Sequence, residues 1–118
     1  MPGRRVLVLL TLLAGTTTVA AIAPAALGTS AARVTVTATD FKFKFSTVRL
    51  TAGRHTFTVV NRGQATHDLK IAGKKTRLLN PGQRATLIVT LKKGRRYPYV
   101  CTVPGHSQLG MKGVLVVR

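Results

Sequence analysis

Acidic side chains are almost missing from this sequence: among 118 residues there are 19 Lys and Arg but only Asp40 and Asp68 on the other side, a net charge of +17 at neutral pH. A chain so basic excludes an acidic surface and points to acidic partners. Trp is absent, and only two Tyr and four Phe are present. The Lys and Arg are scattered along strand-like segments, so neither a recognition helix nor a stacking platform for nucleic acid is available, and no nucleic-acid partner is expected. An anionic membrane surface remains compatible with the charge. There is one cysteine, Cys101. It rules out an intrachain disulfide and leaves a free thiol, an intermolecular bridge or a metal ligand. It also argues against an N-terminal lipid anchor, which needs a cysteine just after the leading apolar stretch.

That stretch is the chain's only long apolar run. Arg4 and Arg5 precede residues 6–14, which are apolar apart from Thr11, and sequence rich in Ala, Gly and Ser follows as far as Ala32. This is the layout of a secretory signal, with cleavage after Ala25, Gly28 or Ala32. The second half of the run, with Gly15 to Thr18 and then Pro24, is poor membrane-spanning material, which disfavours an anchor. Arg4-Arg5 leaves the twin-arginine and general export routes both open. Residues 1–32 are therefore read as a signal peptide and residues 33–118 as one domain, exported to the periplasm or the extracellular side of the cell envelope. From Arg33 onward 17 Lys and Arg face the two Asp, about +15.

Helical periodicity is lacking from the domain, and alternation at period two replaces it. Val34/Val36/Ala38 alternate with threonines, Phe41/Phe43/Phe45 with Lys42 and Lys44, and Phe57/Val59 with Thr56 and Thr58. Leu69/Ile71, Ala85/Leu87/Val89/Leu91, Tyr97/Tyr99/Cys101 and residues 114–117 continue the series. Turn sequences such as Asn61-Arg62-Gly63, Asn80-Pro81-Gly82 and Lys93-Gly94 separate the runs. Short strands at this spacing, without helices between them, predict an all-β, Greek-key antiparallel β-sandwich of about seven to nine strands. A domain of this size buries only a modest core, so a bound metal would add useful stability.

Chemistry concentrates in one segment. Cys101, His106 and Met111 fall within eleven residues, spaced Cys-x4-His-x4-Met, in a Gly/Pro loop that follows the strand Tyr97-Pro98-Tyr99-Val100. Thiolate and imidazole donors in a plane with a weak axial thioether suit a copper ion that alternates between Cu(I) and Cu(II). Zinc is the chemical rival, since thiolate and imidazole suit it as well. A second imidazole must come from His55 or His67, the remaining histidines. His67 follows a turn and opens the strand Asp68-Leu69-Lys70-Ile71, where loops can converge, whereas His55 shares parity with Phe57 near a strand start. The alternatives for these residues are an inert buried thiol, a loop histidine and a core methionine.

These residues resemble the cupredoxin family, in particular its plastocyanin-like and azurin-like small electron carriers, over nearly the whole of residues 33–118. The family's C-terminal ligand loop is matched by Cys101, His106 and Met111, and its upstream ligand by His67 in Thr66-His67-Asp68-Leu69. Val48-Arg49-Leu50-Thr51-Ala52-Gly53 and Thr56-Phe57-Thr58-Val59-Val60-Asn61 resemble its second and third strands, and Pro81-Gly82-Gln83 the turn before its long sixth strand. Two departures stand out: Asp68 replaces the Asn common in relatives, and the spacing from His106 to Met111 is one residue longer than in azurin-like loops. An Asp there would still bond the backbone beside Cys101 and would favour Cu(II).

The resemblance implies one type-1 copper ion held by His67, Cys101, His106 and Met111 and one-electron transfer through His106; the charge makes the expected redox partners acidic proteins, and a monomer is expected. Storage or delivery of copper in the cell envelope is the alternative. An enzyme is not expected, because copper oxidases and nitrite reductases need further histidines and only His55 is left over.

Overall fold

The computed structural model describes Gly3, residues 11–20 and residues 32–118. Residues 11–20 are exposed and without regular structure and Ala32 already belongs to a strand; apart from these and Gly3, the segment read as a signal, including the cleavage positions after Ala25 and Gly28, lies outside the described residues. No helix among the described residues is long and apolar enough to cross a membrane.

Eight strands occur among the described residues: β1 (Ala32–Thr39), β2 (Lys42–Phe45), β3 (Gly53–Asn61), β4 (Lys70–Ile71), β5 (Lys74–Lys75), β6 (Arg84–Leu91), β7 (Arg96–Val100) and β8 (Lys112–Val116). They form two four-stranded sheets, ordered β2-β1-β3-β6 and β5-β4-β7-β8, so the chain folds as the all-β sandwich its alternation predicts. Between these strands pairing is antiparallel with one exception. β1 and β3 run parallel, with Val34 beside Phe57, Val36 beside Val59 and Ala38 beside Asn61. The first sheet is therefore mixed, not purely antiparallel as expected. Alternation reveals which face a side chain takes, not the direction of the neighbouring strand, and residues 40–52 are long enough to make the crossover that parallel neighbours require.

The inward faces are those of the period-two reading. Val34, Val36, Phe57, Val59, Val89, Leu91, Leu69 and Ile71 are buried in one core. Burying a Val, Leu or Phe side chain contributes about 1.5–3 kcal/mol. A one-residue slip of β1 would trade Val34, Val36 and Ala38 for Thr35, Thr37 and Thr39, so the register is held by several kcal/mol. A second, smaller cluster of Ala38, Cys101 and Met111, with Phe41, Phe43 and Val103 packed on it, lies apart from the main core. It marks the end of the sandwich where β1, β3 and β7 finish and β8 begins. Threonines and basic residues occupy much of the outward faces.

Candidate metal centre

Three loops meet at that end. The first is the β1–β2 turn, with Asp40 and Phe41. The second runs from the end of β3 through His67 to β4. The third is the segment from Cys101 to Met111 between β7 and β8. The third is a tight series of turns: the His106 N–H donates to Val103 O (3.1 Å), the Met111 N–H to His106 O (3.1 Å) and the Cys101 N–H to Met111 O (3.0 Å). The last of these bonds closes the loop back on its own start. Gly105 and Gly110 lie at φ 86° and 106°, in a region that a side chain disfavours, so glycine at these positions lets the chain double back around His106.

The second loop is held from both sides. Asn61, fully buried, donates from Nδ2 to Ala65 O (2.8 Å) and Leu79 O (2.7 Å), while its Oδ1 accepts the Gly63 N–H (2.8 Å). His67 does not open a strand as expected. It forms an isolated bridge with Leu79, exchanging both backbone bonds (3.0 and 2.7 Å), and β4 begins only at Lys70. Asp68 joins the second loop to the third: its carboxylate accepts the Thr102 N–H (2.6 Å) and the Thr102 hydroxyl, the backbone bond beside Cys101 that an Asp at this position was expected to make.

These restraints bring His67, Cys101 and His106 together, with one donor atom from each mutually within 4.8 Å. The two Nδ1 atoms are 3.1 Å apart, and Cys101 Sγ lies 4.0 Å from His67 Nδ1 and 3.6 Å from His106 Nδ1. His67 and Cys101 are buried, whereas His106 is half-buried and reaches the surface. Met111 is fully buried in the same small cluster as Cys101. His55 is elsewhere. It sits six residues before the site end of β3, roughly 20 Å away at about 3.3 Å per residue. There its Nε2 donates to Thr51 O (2.7 Å), its ring stacks on Phe57, and Nδ1 has no partner among the described residues.

The donor set accommodates a single ion. With metal–nitrogen bonds of about 2.0 Å and a metal–sulfur bond of about 2.3 Å, three donors around one centre stand roughly 3–4 Å from one another. The observed separations of 3.1, 3.6 and 4.0 Å fall in that interval. Burial pushes the Cys101 thiol above its ordinary pKa, the largest influence on it. The metal-free site therefore holds a thiol whose proton must leave when a metal binds.

Two side chains at this site were not singled out by the sequence reading. Phe41, assigned only to a strand face, sets its ring edge-on to His106 (centroids 4.9 Å) and His67 (6.2 Å), closing the site on the β2 side. Asp40, noted only as a charge, accepts the His67 Nε2–H at 2.7 Å. It also accepts the backbone N–H groups of Gln64 (3.0 Å) and Ala65 (3.1 Å). These bonds, the one from Gln64 foremost and then that from His67, hold its carboxyl below the usual carboxylate range. The available signal was composition: a chain with only two acidic residues places both on the loops of this site.

The model of a cupredoxin-like domain matches residues 6–117. Among solved structures, auracyanin B overlays with a TM-score of 0.62 at 22% identity, covering 76% of this chain and 91% of that one. Auracyanin A, a "blue" copper protein from Chloroflexus aurantiacus, gives 0.59 at 19% identity, over 75% and 100%. Reduced auracyanin from Roseiflexus castenholzii gives 0.58 at 20%, over 77% and 98%. Among curated proteins, the copper-resistant cuproprotein CopI of Pseudomonas aeruginosa is 44% identical over 41 residues, a match spanning 35% of this chain and 23% of that protein's length.

Proposed function

The chain belongs to the cupredoxin-like domain family, and from that premise we propose that it is an exported one-electron carrier holding a single type-1 copper ion through His67, Cys101, His106 and Met111. The observation that carries this reading is the convergence of one thiol and two imidazoles, from loops 34 residues apart in sequence, with donor atoms within 4.8 Å. The buried thioether of Met111 beside Cys101 favours copper over zinc, because a soft, weak fourth donor suits the copper couple, while structural zinc takes a fourth Cys, His or carboxylate.

When bound, copper supplies a Cu(I)/Cu(II) couple of one electron. The residues around it hold the donors nearly still as the charge changes. Asp68 ties the His67 loop to the Cys101 loop, Phe41 packs edge-on against both imidazoles, and the turns of residues 101–111 fix His106. His106 is the half-buried member of the donor set and is the natural port for the electron. Exposed Leu109 lies beside it, and Leu78, Val103 and Pro104 line an open groove next to the third loop. Lys42, Arg62, Lys75 and Lys112, all exposed, flank the three loops, which supports an acidic redox protein as the partner. The protein acts as a monomer, and its substrate is the electron alone.

The copper-loaded protein should show an intense visible band that Cys101→Ser abolishes, and voltammetry should show reversible reduction. A colourless complex, or colour that persists in the Ser variant, refutes the assignment. The partial match to CopI favours a second reading, copper handling in the cell envelope. That reading predicts that copper leaves on reduction and passes to a chelator, whereas a carrier retains it through repeated cycles.

A further inference from the structure

Beyond the four donors, the site contains a carboxylate that no ligand pattern calls for. Asp40 lies in the turn between β1 and β2, yet all three of its hydrogen bonds reach residues 64–67: the N–H of Gln64 and of Ala65, and Nε2 of His67. It meets His67 at the ring nitrogen away from the donor cluster, since Nδ1 is the atom that faces His106 and Cys101. A carboxylate only accepts, so the bond at 2.7 Å requires a proton on Nε2, and in the neutral imidazole Nδ1 is then the lone pair.

Gly63 supplies an independent observation. A Cβ at this position would clash with Asp40 Oδ1 and stand 2.9 Å from His67 Nε2. Its backbone is not in the left-handed region. Glycine is therefore needed here for the space it leaves to the Asp40–His67 pair and not for its conformation.

We propose that Asp40 is a positioning residue of the metal centre. Through the gap left by Gly63, it locks His67 as the Nε2–H tautomer with Nδ1 unprotonated before any metal arrives, and it biases the loaded centre toward the more highly charged oxidation state. The oxidation-state part rests on the copper reading above; the tautomer part does not. Only two carboxylates exist in the chain to offset 19 basic side chains, so a negative charge against a ligand imidazole is felt against an otherwise positive surround.

The test uses the full chain with 15N-labelled histidine. In the metal-free wild type, imidazole 15N spectra should show His67 wholly as the Nε2–H form. Asp40→Asn, which keeps an accepting oxygen, should retain that form. Asp40→Ala and Gly63→Ala should both yield a tautomer mixture, the latter with every donor atom intact. In the copper-loaded protein, loss of the outer partner costs typically 10–100-fold in metal affinity. A tenfold loss confined to Cu(II) would raise the potential of Asp40→Asn by about 59 mV. A wild-type His67 protonated on Nδ1, or Gly63→Ala with an unchanged tautomer, overturns the positioning role. An unchanged potential in Asp40→Asn overturns the bias. Failure of the copper reading would look different: no coloured complex, together with a single Nε2–H signal in the metal-free spectra.

Discussion

Replacing Phe41 by Ala tests whether the site is held rigid from its β2 side. The ring makes two edge-to-face contacts with the imidazoles, at 4.9 Å to His106 and 6.2 Å to His67, both inside the favourable 4.5–7 Å interval. Such pairs are worth about 0.5–1.5 kcal/mol each beyond area burial, so the variant should lose about 1–3 kcal/mol in addition to the burial of the ring itself. For a urea m-value of about 1–1.5 kcal/mol/M, these contacts alone should lower the unfolding midpoint of the metal-free protein by roughly 0.7–3 M. The functional consequence separates this residue from an ordinary core aromatic. Without the wedge, His106 can rotate and water reaches the donors, so reduction must reorganise more of the site. Each 1.4 kcal/mol that enters the barrier slows electron self-exchange about tenfold. Phe45→Ala is the control, because Phe45 packs on Tyr99 and Phe57 and touches neither imidazole. It should lower stability and leave self-exchange alone. If Phe41→Ala matches the wild type in both midpoint and self-exchange rate, or if Phe45→Ala slows exchange equally, the rigid-wedge reasoning is wrong.

Met111→Leu should keep the visible colour and shift the potential upward, since a thioether would hold copper only weakly and its loss would favour Cu(I); a colourless variant on copper titration would contradict this. Because burial raises the pKa of Cys101, the thiol is protonated at neutral pH and deprotonates as the metal binds. Copper loading at pH 7 should therefore release about one proton, read with a pH indicator in weak buffer, and Cys101→Ser should release none. The charge of about +15 from Arg33 onward predicts that the bimolecular rate of electron transfer with an acidic redox protein falls steeply as salt rises, while the rate within the preformed complex changes little. A faster reaction with a basic partner at low salt would reduce the charge to a solubility feature.

The donors that were legible in the sequence are those that lie close together along it. Cys101, His106 and Met111 share one turn-rich loop whose closure needs only local hydrogen bonds and two glycines, so their spacing already implies their convergence. His67 was separable from His55 by its place after a turn, although its backbone enters an isolated bridge with Leu79 and not a strand. Asp40 and Phe41 could not be found this way. Asp40 enters the sequence reading only as a charge and Phe41 as one member of an alternating run, and their contacts with the site span 24 to 65 positions of sequence.

Composition and period two by themselves determined that the chain is a basic β-sandwich, which residues turn inward, and that one loop carries thiolate, imidazole and thioether donors. The alternation is local physics, because successive side chains of a strand face opposite ways whatever lies beside it. Which strand lies beside it is not local. The parallel pairing of β1 with β3 sets Ala38 next to Asn61, and only that register carries the turn after β1 over the loop after β3. Asp40 thereby reaches His67 through the space left at Gly63, and Phe41 reaches both imidazoles. Tertiary structure thus decided the surroundings of the donors, since contacts between distant segments depend on strand neighbours and register, and residue spacing encodes neither.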